Sequence, residues 1–182
     1  MRVSELTIKQ LAIIAEIRDA LAAAGVRWWL FGGWGLDARI RRLTRDHHDI
    51  EFWVYHEDAE HTREALVGRS FTVRTTAHPE ESQEFEKDGV RISSAFLYGE
   101  GAVQPACAGR WSDWRFPSNS FDCPPGRLGE LEVPVMSVEG MLAMKEQFPS
   151  LRNGRPLRDK DVRDIKLLRK LLAAGSDAPT SL

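Results

Sequence analysis

Two clusters in the first third of the chain hold residue types that act on phosphates and metal ions. The first is Gly32-Gly33-Trp34-Gly35-Leu36-Asp37. The second is Thr44-Arg45-Asp46-His47-His48-Asp49-Ile50-Glu51. A Gly-Gly pair between a strand and a helix lets a ligand approach the backbone closely. It also presents N–H groups at a helix N-terminus, where the dipole favours anions. A phosphate suits such a turn, although a tight strand-to-helix turn with no ligand uses the same residues. Asp49 and Glu51 lie in a segment where Ile50, Phe52 and Val54 alternate with Asp49, Glu51 and Trp53. Period two puts both carboxylates on one strand face. Hard Mg²⁺ takes oxygen ligands and is often held by one or two carboxylates plus substrate phosphates. By itself, a D-x-E pair more often marks a polar face turned to water. The two clusters together suit a phosphate-bearing ligand held with Mg²⁺.

The elements that must position these residues follow from spacing. Thr7 to Gln10 fits a capping box, and Leu11, Ile14, Ile17 and Leu21 form one apolar stripe, so the spacing predicts a helix that stops at Gly25. Val26 to Phe31 is an apolar, tryptophan-rich run that reads as a buried strand ending at Gly32-Gly33, where a short helix begins. Thr44 to His48 reads as a loop and Ile50 to Val54 as a strand. Asp58 to Val67 is a helix closed by Gly68, and Phe71 to Thr75 is a strand. Gln83–Glu86 and Val90–Tyr98 flank Lys87-Asp88-Gly89, a hairpin turn. Gly99 to Gly129 is rich in Gly, Pro, Trp and Ser and reads as irregular, with short strands. Glu132 to Val135 is a strand or an extended lead-in. Ser137 caps a helix through Met144, and Arg158 to Leu172 is a charged helix. This order predicts an α/β (mixed α+β) fold: a central mixed sheet flanked by helices, with a C-terminal helical part. The expected organisation is a single domain over 1–173, with a core at about 7–98, the irregular segment at 99–135, helices over 137–173 and a frayed tail over 174–182.

Composition narrows the function class. There are 25 Lys+Arg against 27 Asp+Glu in 182 residues. That balance argues against nucleic acid as a partner. No apolar run approaches a membrane span, and the first ten residues do not read as a signal peptide. Two cysteines, Cys107 and Cys123, make no disulfide framework. The expected localisation is cytoplasmic.

The stretch from Gly32 to Val54 resembles the nucleotidyltransferase core of the aminoglycoside 2″-adenylyltransferases and lincosamide nucleotidyltransferases, in the DNA polymerase β superfamily. The shared pattern is GGW-x-x-D followed by T-R-x-H-x-D-I-D, and this chain keeps Gly32, Gly33, Trp34, Asp37, Thr44, Arg45, His47 or His48, Asp49 and Ile50. Glu51 stands at the last position in place of Asp. A second similarity lies at Arg158-Asp159-Lys160-Asp161-Val162-Arg163-Asp164, close to an R-x-K-D-x-x-D helix start. The resemblance implies that Gly32 and Gly33 hold triphosphate oxygens and that Asp49 and Glu51 hold Mg²⁺ on the nucleotide. ATP, or another nucleoside triphosphate, is then a co-substrate. A hydroxyl of a small molecule, of the aminoglycoside or lincosamide kind, attacks the α-phosphorus. Among Arg39, Arg41, Arg42 and Arg45, one arginine (Arg45 in the motif) contacts phosphate, and Lys145 points at the cleft.

The pattern also calls for a third carboxylate on the strand after the hairpin, where this chain has Ser93. Glu84, on the partner strand with Glu86 on the same face, is the candidate replacement as base toward the acceptor; the alternative is a solvated hairpin residue. Ser93 and Glu51 together keep a second reading open: a fold of this kind that binds nucleotide or a small molecule without turnover. One of His47 and His48 either orients Asp49, meets a phosphate or makes ordinary loop hydrogen bonds. Lys160 either faces the cleft or pairs with Asp161 and Asp164. Trp111, Trp114, Phe116 and Phe121 either close the core under a long loop or stack on an acceptor. The same segment is a candidate face for a second copy of the chain.

Overall fold

The computed structural model describes residues 3–99, 104–151 and 154–176. Its elements follow the predicted order. They are α1 (Glu5–Ala23), β1 (Trp28–Leu30), α2 (Gly32–Ile40), β2 (Asp49–Tyr55), α3 (Ala59–Val67), β3 (Thr72–Arg74), β4 (Ser82–Lys87), β5 (Val90–Leu97), β6 (Gly126–Leu128), β7 (Leu131–Val133), α4 (Val138–Leu151) and α5 (Asp159–Ser176). Five strands form one sheet in the order β1-β2-β5-β4-β3, and β6 and β7 make a separate ribbon. Only β2 and β5 run parallel; the other neighbours in the sheet are antiparallel. The sheet is therefore mixed, as predicted.

The interior position of β2 and β5 is what aligns the site. Ile50, Phe52 and Val54 on one face of β2 are fully buried in a core cluster that includes Ile13, Ile14, Ile17 and Leu21 of α1. A one-residue slip of β2 would bring Asp49 and Glu51 into that core, so burial fixes which face they occupy. The opposite face of β2 carries Trp53. Around it pack Phe31 (stacked, 4.8 Å between centroids), Trp114, Phe116 and Phe121. At the β4–β5 hairpin, Asp88 and Gly89 both have positive φ (53° and 78°), the two-residue turn that matches strand twist. It fixes Lys87 opposite Val90 and hence Glu84 opposite Ser93.

Three boundaries differ from expectation. Ser4, not Thr7, caps α1, its Oγ accepting from the Thr7 N–H at 3.1 Å. Thr7 is buried and donates instead to Asp46 (2.8 Å), and Gln10 donates to the His47 carbonyl (3.2 Å). Both residues of the expected capping box are thus spent on holding the loop before β2. Helix α4 starts on Ser137, which accepts from the Gly140 N–H (3.0 Å), but it runs on past Met144 to Leu151 with Pro149 in its last turn. Helix α5 extends to Ser176, past 174, the expected start of the tail; 177–182 lie outside the described residues. Among the described residues, no helix is long and apolar enough to cross a membrane.

Candidate active site

The Gly-Gly turn is dictated by what packs against it. Gly32 has φ +65°, and a Cβ placed there would land on the Glu51 carboxylate. A Cβ on Gly33 would land on the His47 imidazole. The pair is therefore required by the close approach of two side chains of the second cluster, and it leaves the first N–H groups of α2 without intrahelical partners.

Asp37 links the two clusters. It is fully buried and accepts from the Thr44 N–H (3.2 Å), the Thr44 hydroxyl (2.6 Å) and His47 Nε2 (2.7 Å). The GGW-x-x-D and T-R-x-H patterns thus describe one latch, whose buried acid is repeatedly hydrogen-bonded. With Nε2 engaged, His47 turns Nδ1 toward Gly33. It is His47 rather than His48 that is built in, and the acid it pairs with is Asp37 rather than Asp49.

Gly32, Gly33, Arg45, Asp49, Glu51 and Lys145 line one cavity of about 310 Å³, together with Phe31, His47, Phe148, Arg158, Lys160 and Arg163. Asp49 is half-exposed, with Arg91 3.9 Å away. Among the described residues, the Glu51 carboxylate makes no hydrogen bond or ion pair. Burial pushes its pKa up to about 7, with the Asp49 charge adding to the rise, while Lys145, Lys160 and Arg158 pull the other way. Two adjacent oxygen donors, one of them short of a counter-charge, form a donor set that fits a hard divalent cation.

The facing wall is cationic and held by ion pairs. Arg45 forks onto Asp164 (3.0 and 3.2 Å), and Lys145 reaches Asp164 (2.9 Å) and Asp161 (3.4 Å). Arg158 binds Asp161 (2.6 and 3.0 Å). Asp161 and Asp164 are buried, so three cations share two carboxylates and the group keeps a positive surplus. Acids on one side and surplus positive charge on the other match a metal–triphosphate. Arg39, by contrast, is tied to the Met136 and Pro124 carbonyls (3.0 and 2.6 Å) and is structural.

A second cavity, of about 240 Å³, adjoins the first; Phe31, Glu51 and Phe148 belong to both. Glu84 lies here. The sheet register places Glu51, Ser93 and Glu84 side by side on β2, β5 and β4. Glu84 Oε1 accepts from Ser93 (2.8 Å) and from Ser82 (3.0 Å). A carboxylate thus stands one hydrogen bond from the serine that occupies the third acid's position. Trp111 and Trp114 stack at 5.0 Å and line this cavity, while Trp114 and Phe116 are buried against Trp53. The aromatic segment therefore closes the core and walls the cavity at once.

Sequence reasoning did not single out Arg158, Arg163, Phe148 or the Glu81–Arg110 pair as site residues. Arg158 and Arg163 belong to the noted R-x-K-D-x-x-D segment, which held the signal. Glu81 and Arg110 are joined across an irregular loop and had none.

Known proteins resemble this chain in sequence and fold. A curated lincosamide resistance protein of Staphylococcus haemolyticus is 25% identical over 181 residues, covering 94% of this chain and 99% of that protein. The crystal structure of ANT(2")-Ia in complex with adenylyl-2"-tobramycin superposes with a TM-score of 0.74 at 20% identity, covering 92% of each chain. The lincomycin-bound lincosamide adenylyltransferase LnuA gives 0.67 at 20% identity, over 93% of this chain and 98% of that one. Both structures share the nucleotidyltransferase fold. The family model described as aminoglycoside-2''-adenylyltransferase matches residues 13–168, which takes in the Gly-Gly turn, the acid pair, both cavities and the cationic wall. The chain therefore belongs to the aminoglycoside-2''-adenylyltransferase family of nucleotidyltransferases.

Proposed function

We propose that the protein transfers a nucleoside monophosphate, AMP from ATP, to a hydroxyl of an antibiotic-like small molecule of the aminoglycoside or lincosamide kind. The observation that carries this reading is the pair of adjoining cavities with Glu51 at their boundary. The first suits the nucleotide. The free N–H groups of α2 meet phosphate oxygens, Lys145, Arg158 and Lys160 neutralise their charge, and Phe31 and Phe148 offer flat surfaces to the base. Asp49 and Glu51 would hold Mg²⁺, which when bound supplies charge neutralisation at the triphosphate.

The second cavity suits the acceptor. Its hydroxyl oxygen attacks the α-phosphorus, the new O–P bond forms, and the bond to the β-phosphate breaks as pyrophosphate leaves with the electron pair. The hydroxyl proton passes to Glu84. Ser82 and Ser93 orient the Glu84 carboxylate through the hydrogen bonds they donate. Most of the rate then comes from alignment and charge placement. A binding-only role, suggested by Ser93 and Glu51 in the sequence, is disfavoured because Glu84 on the next strand sets a carboxylate one hydrogen bond from Ser93.

Incubation with Mg²⁺, ATP and lincomycin or tobramycin, followed by mass spectrometry, is expected to give an acceptor heavier by one adenylyl group. Glu84→Gln is expected to lower kcat by about 10²–10⁴-fold, the range for loss of a general base, with KM for ATP little changed. An unmodified acceptor in both cases, or an unchanged kcat in the variant, contradicts the reading.

A further inference from the structure

We infer that the acceptor of this chain is an amphipathic hydroxyl compound with at most one ammonium group rather than a polycation, and that Arg110 enforces the choice. The inference rests on reading the second cavity as the acceptor site.

Three acids face that cavity: Glu51, Glu81 and Glu84. Glu51 belongs with Asp49 to the nucleotide side. Glu84 is held by two hydroxyls and is reserved for the attacking hydroxyl. Glu81 is the carboxylate that would otherwise attract a second or third amine, and its side chain is only 3% exposed. Arg110 occupies it completely. The Arg110 N–H donates to Oε1 (2.7 Å), Nε reaches Oε1 and Oε2 (3.0 and 3.1 Å), and the terminal nitrogen donates to Oε2 (2.7 Å). Burial alone would push the Glu81 carboxyl up, but these bonds hold it below the usual range, so it is ionised and matched in place. Gly109, with φ +61°, permits this approach, since a Cβ there would collide with the same carboxylate.

Apart from Ser82 and Ser93, which are engaged by Glu84, the rest of the lining is largely apolar, with Trp53, Ala95, Phe96, Trp111, Trp114 and Phe148. The Arg110 guanidinium lies 5.5 Å over the Trp111 ring, and its side chain is 58% exposed, which places positive charge beside the aromatic wall. A polycation entering here would lose hydration on several ammonium groups with no uncommitted carboxylate to receive them, next to a like charge. A compound with a broad apolar face and at most one ammonium group meets the aromatic surface at a far smaller desolvation cost.

The test is calorimetric binding of lincomycin, which has one amine, and tobramycin, which has several, to the full chain with Mg²⁺ and a non-hydrolysable ATP analogue. Lincomycin is expected to bind at least about tenfold more tightly, a difference of about 1.4 kcal/mol. Arg110→Ala uncovers the Glu81 charge and is expected to tighten tobramycin severalfold while moving lincomycin less. Adding Glu81→Gln to that variant should abolish the gain. Trp111→Ala should weaken lincomycin more than tobramycin, which keeps the test decisive if Arg110→Ala does not fold. Tighter tobramycin binding to the natural protein, or an unmoved ratio in Arg110→Ala and Trp111→Ala, overturns the inference. Pyrophosphate release is read separately: tight lincomycin binding without release supports the acceptor class and contradicts nucleotidyl transfer, whereas binding of neither compound overturns both.

Discussion

Glu51→Gln is expected to yield a protein that is inactive and, without metal, more stable above neutral pH than the natural one. The carboxyl has its pKa raised from 4.5 to about 7 in the folded chain by burial and by Asp49. Between those values the folded state binds the proton that the unfolded state has released, so stability falls as pH rises from about 4.5 through 7. Above 7 the folded protein carries the full penalty of ionising this half-buried carboxylate, on the order of 3 kcal/mol for a rise of this size. The amide keeps the shape and removes the charge. The thermal midpoint of the metal-free variant should therefore exceed that of the natural chain at pH 8 and match it near pH 4. Activity should fall by at least about 10³-fold, because the removed charge is the one that would hold Mg²⁺ at the cavity boundary. A variant no more stable than the parent at pH 8 would mean that the carboxylate already has a counter-charge.

Lys145→Met is expected to be the most damaging single change to the fold outside the core. Lys145 is buried between Asp161 and Asp164, which are buried as well. Removing the ammonium while leaving both acids enclosed is expected to cost about 3–5 kcal/mol, which lowers the melting temperature by roughly 6–20 °C for a chain of this size. Arg45 and Arg158 remain on the two acids and keep the loss from being larger. Nucleotide affinity should fall too, since the variant loses positive charge facing the acid pair. Lys145→Arg keeps the charge but not the fit, and an intermediate melting temperature is expected, measured by calorimetry. A Lys145→Met protein that melts within a degree of the parent would show that the network tolerates its loss.

The parts of the site legible in the sequence are those set by local chemistry. Asp49 and Glu51 share a face because strands alternate, and the core's claim on Ile50, Phe52 and Val54 decides which face. Gly32 and Gly33 end a strand because the side chains behind them leave no room for a Cβ. Glu84 opposite Ser93 follows from a two-residue turn at Asp88-Gly89. Other contacts depend on folding at a distance. Arg45 and Asp164 are 119 positions apart, and no pattern near either one names the other. The parallel pairing that sets Glu51 beside Ser93 spans α3, β3 and β4. Thr7 and Gln10 satisfy a capping rule on paper, yet tertiary partners at Asp46 and His47 take them, and Ser4 serves as cap. Arg110 lies in a segment without periodicity, so its hold on Glu81 becomes visible only once the loop is folded.

The most direct test of the central claim, that Asp49 and Glu51 hold the metal for nucleotidyl transfer, is pyrophosphate release from ATP with acceptor present. It should be measured with and without Mg²⁺, for the natural chain and for Asp49→Ala. The account predicts release from the natural chain that needs both Mg²⁺ and acceptor, and a loss of at least about 10³-fold in Asp49→Ala, with the variant's melting temperature near that of the parent because Asp49 is half-exposed. Equal release from a folded Asp49→Ala protein, or release that is indifferent to Mg²⁺, would contradict it.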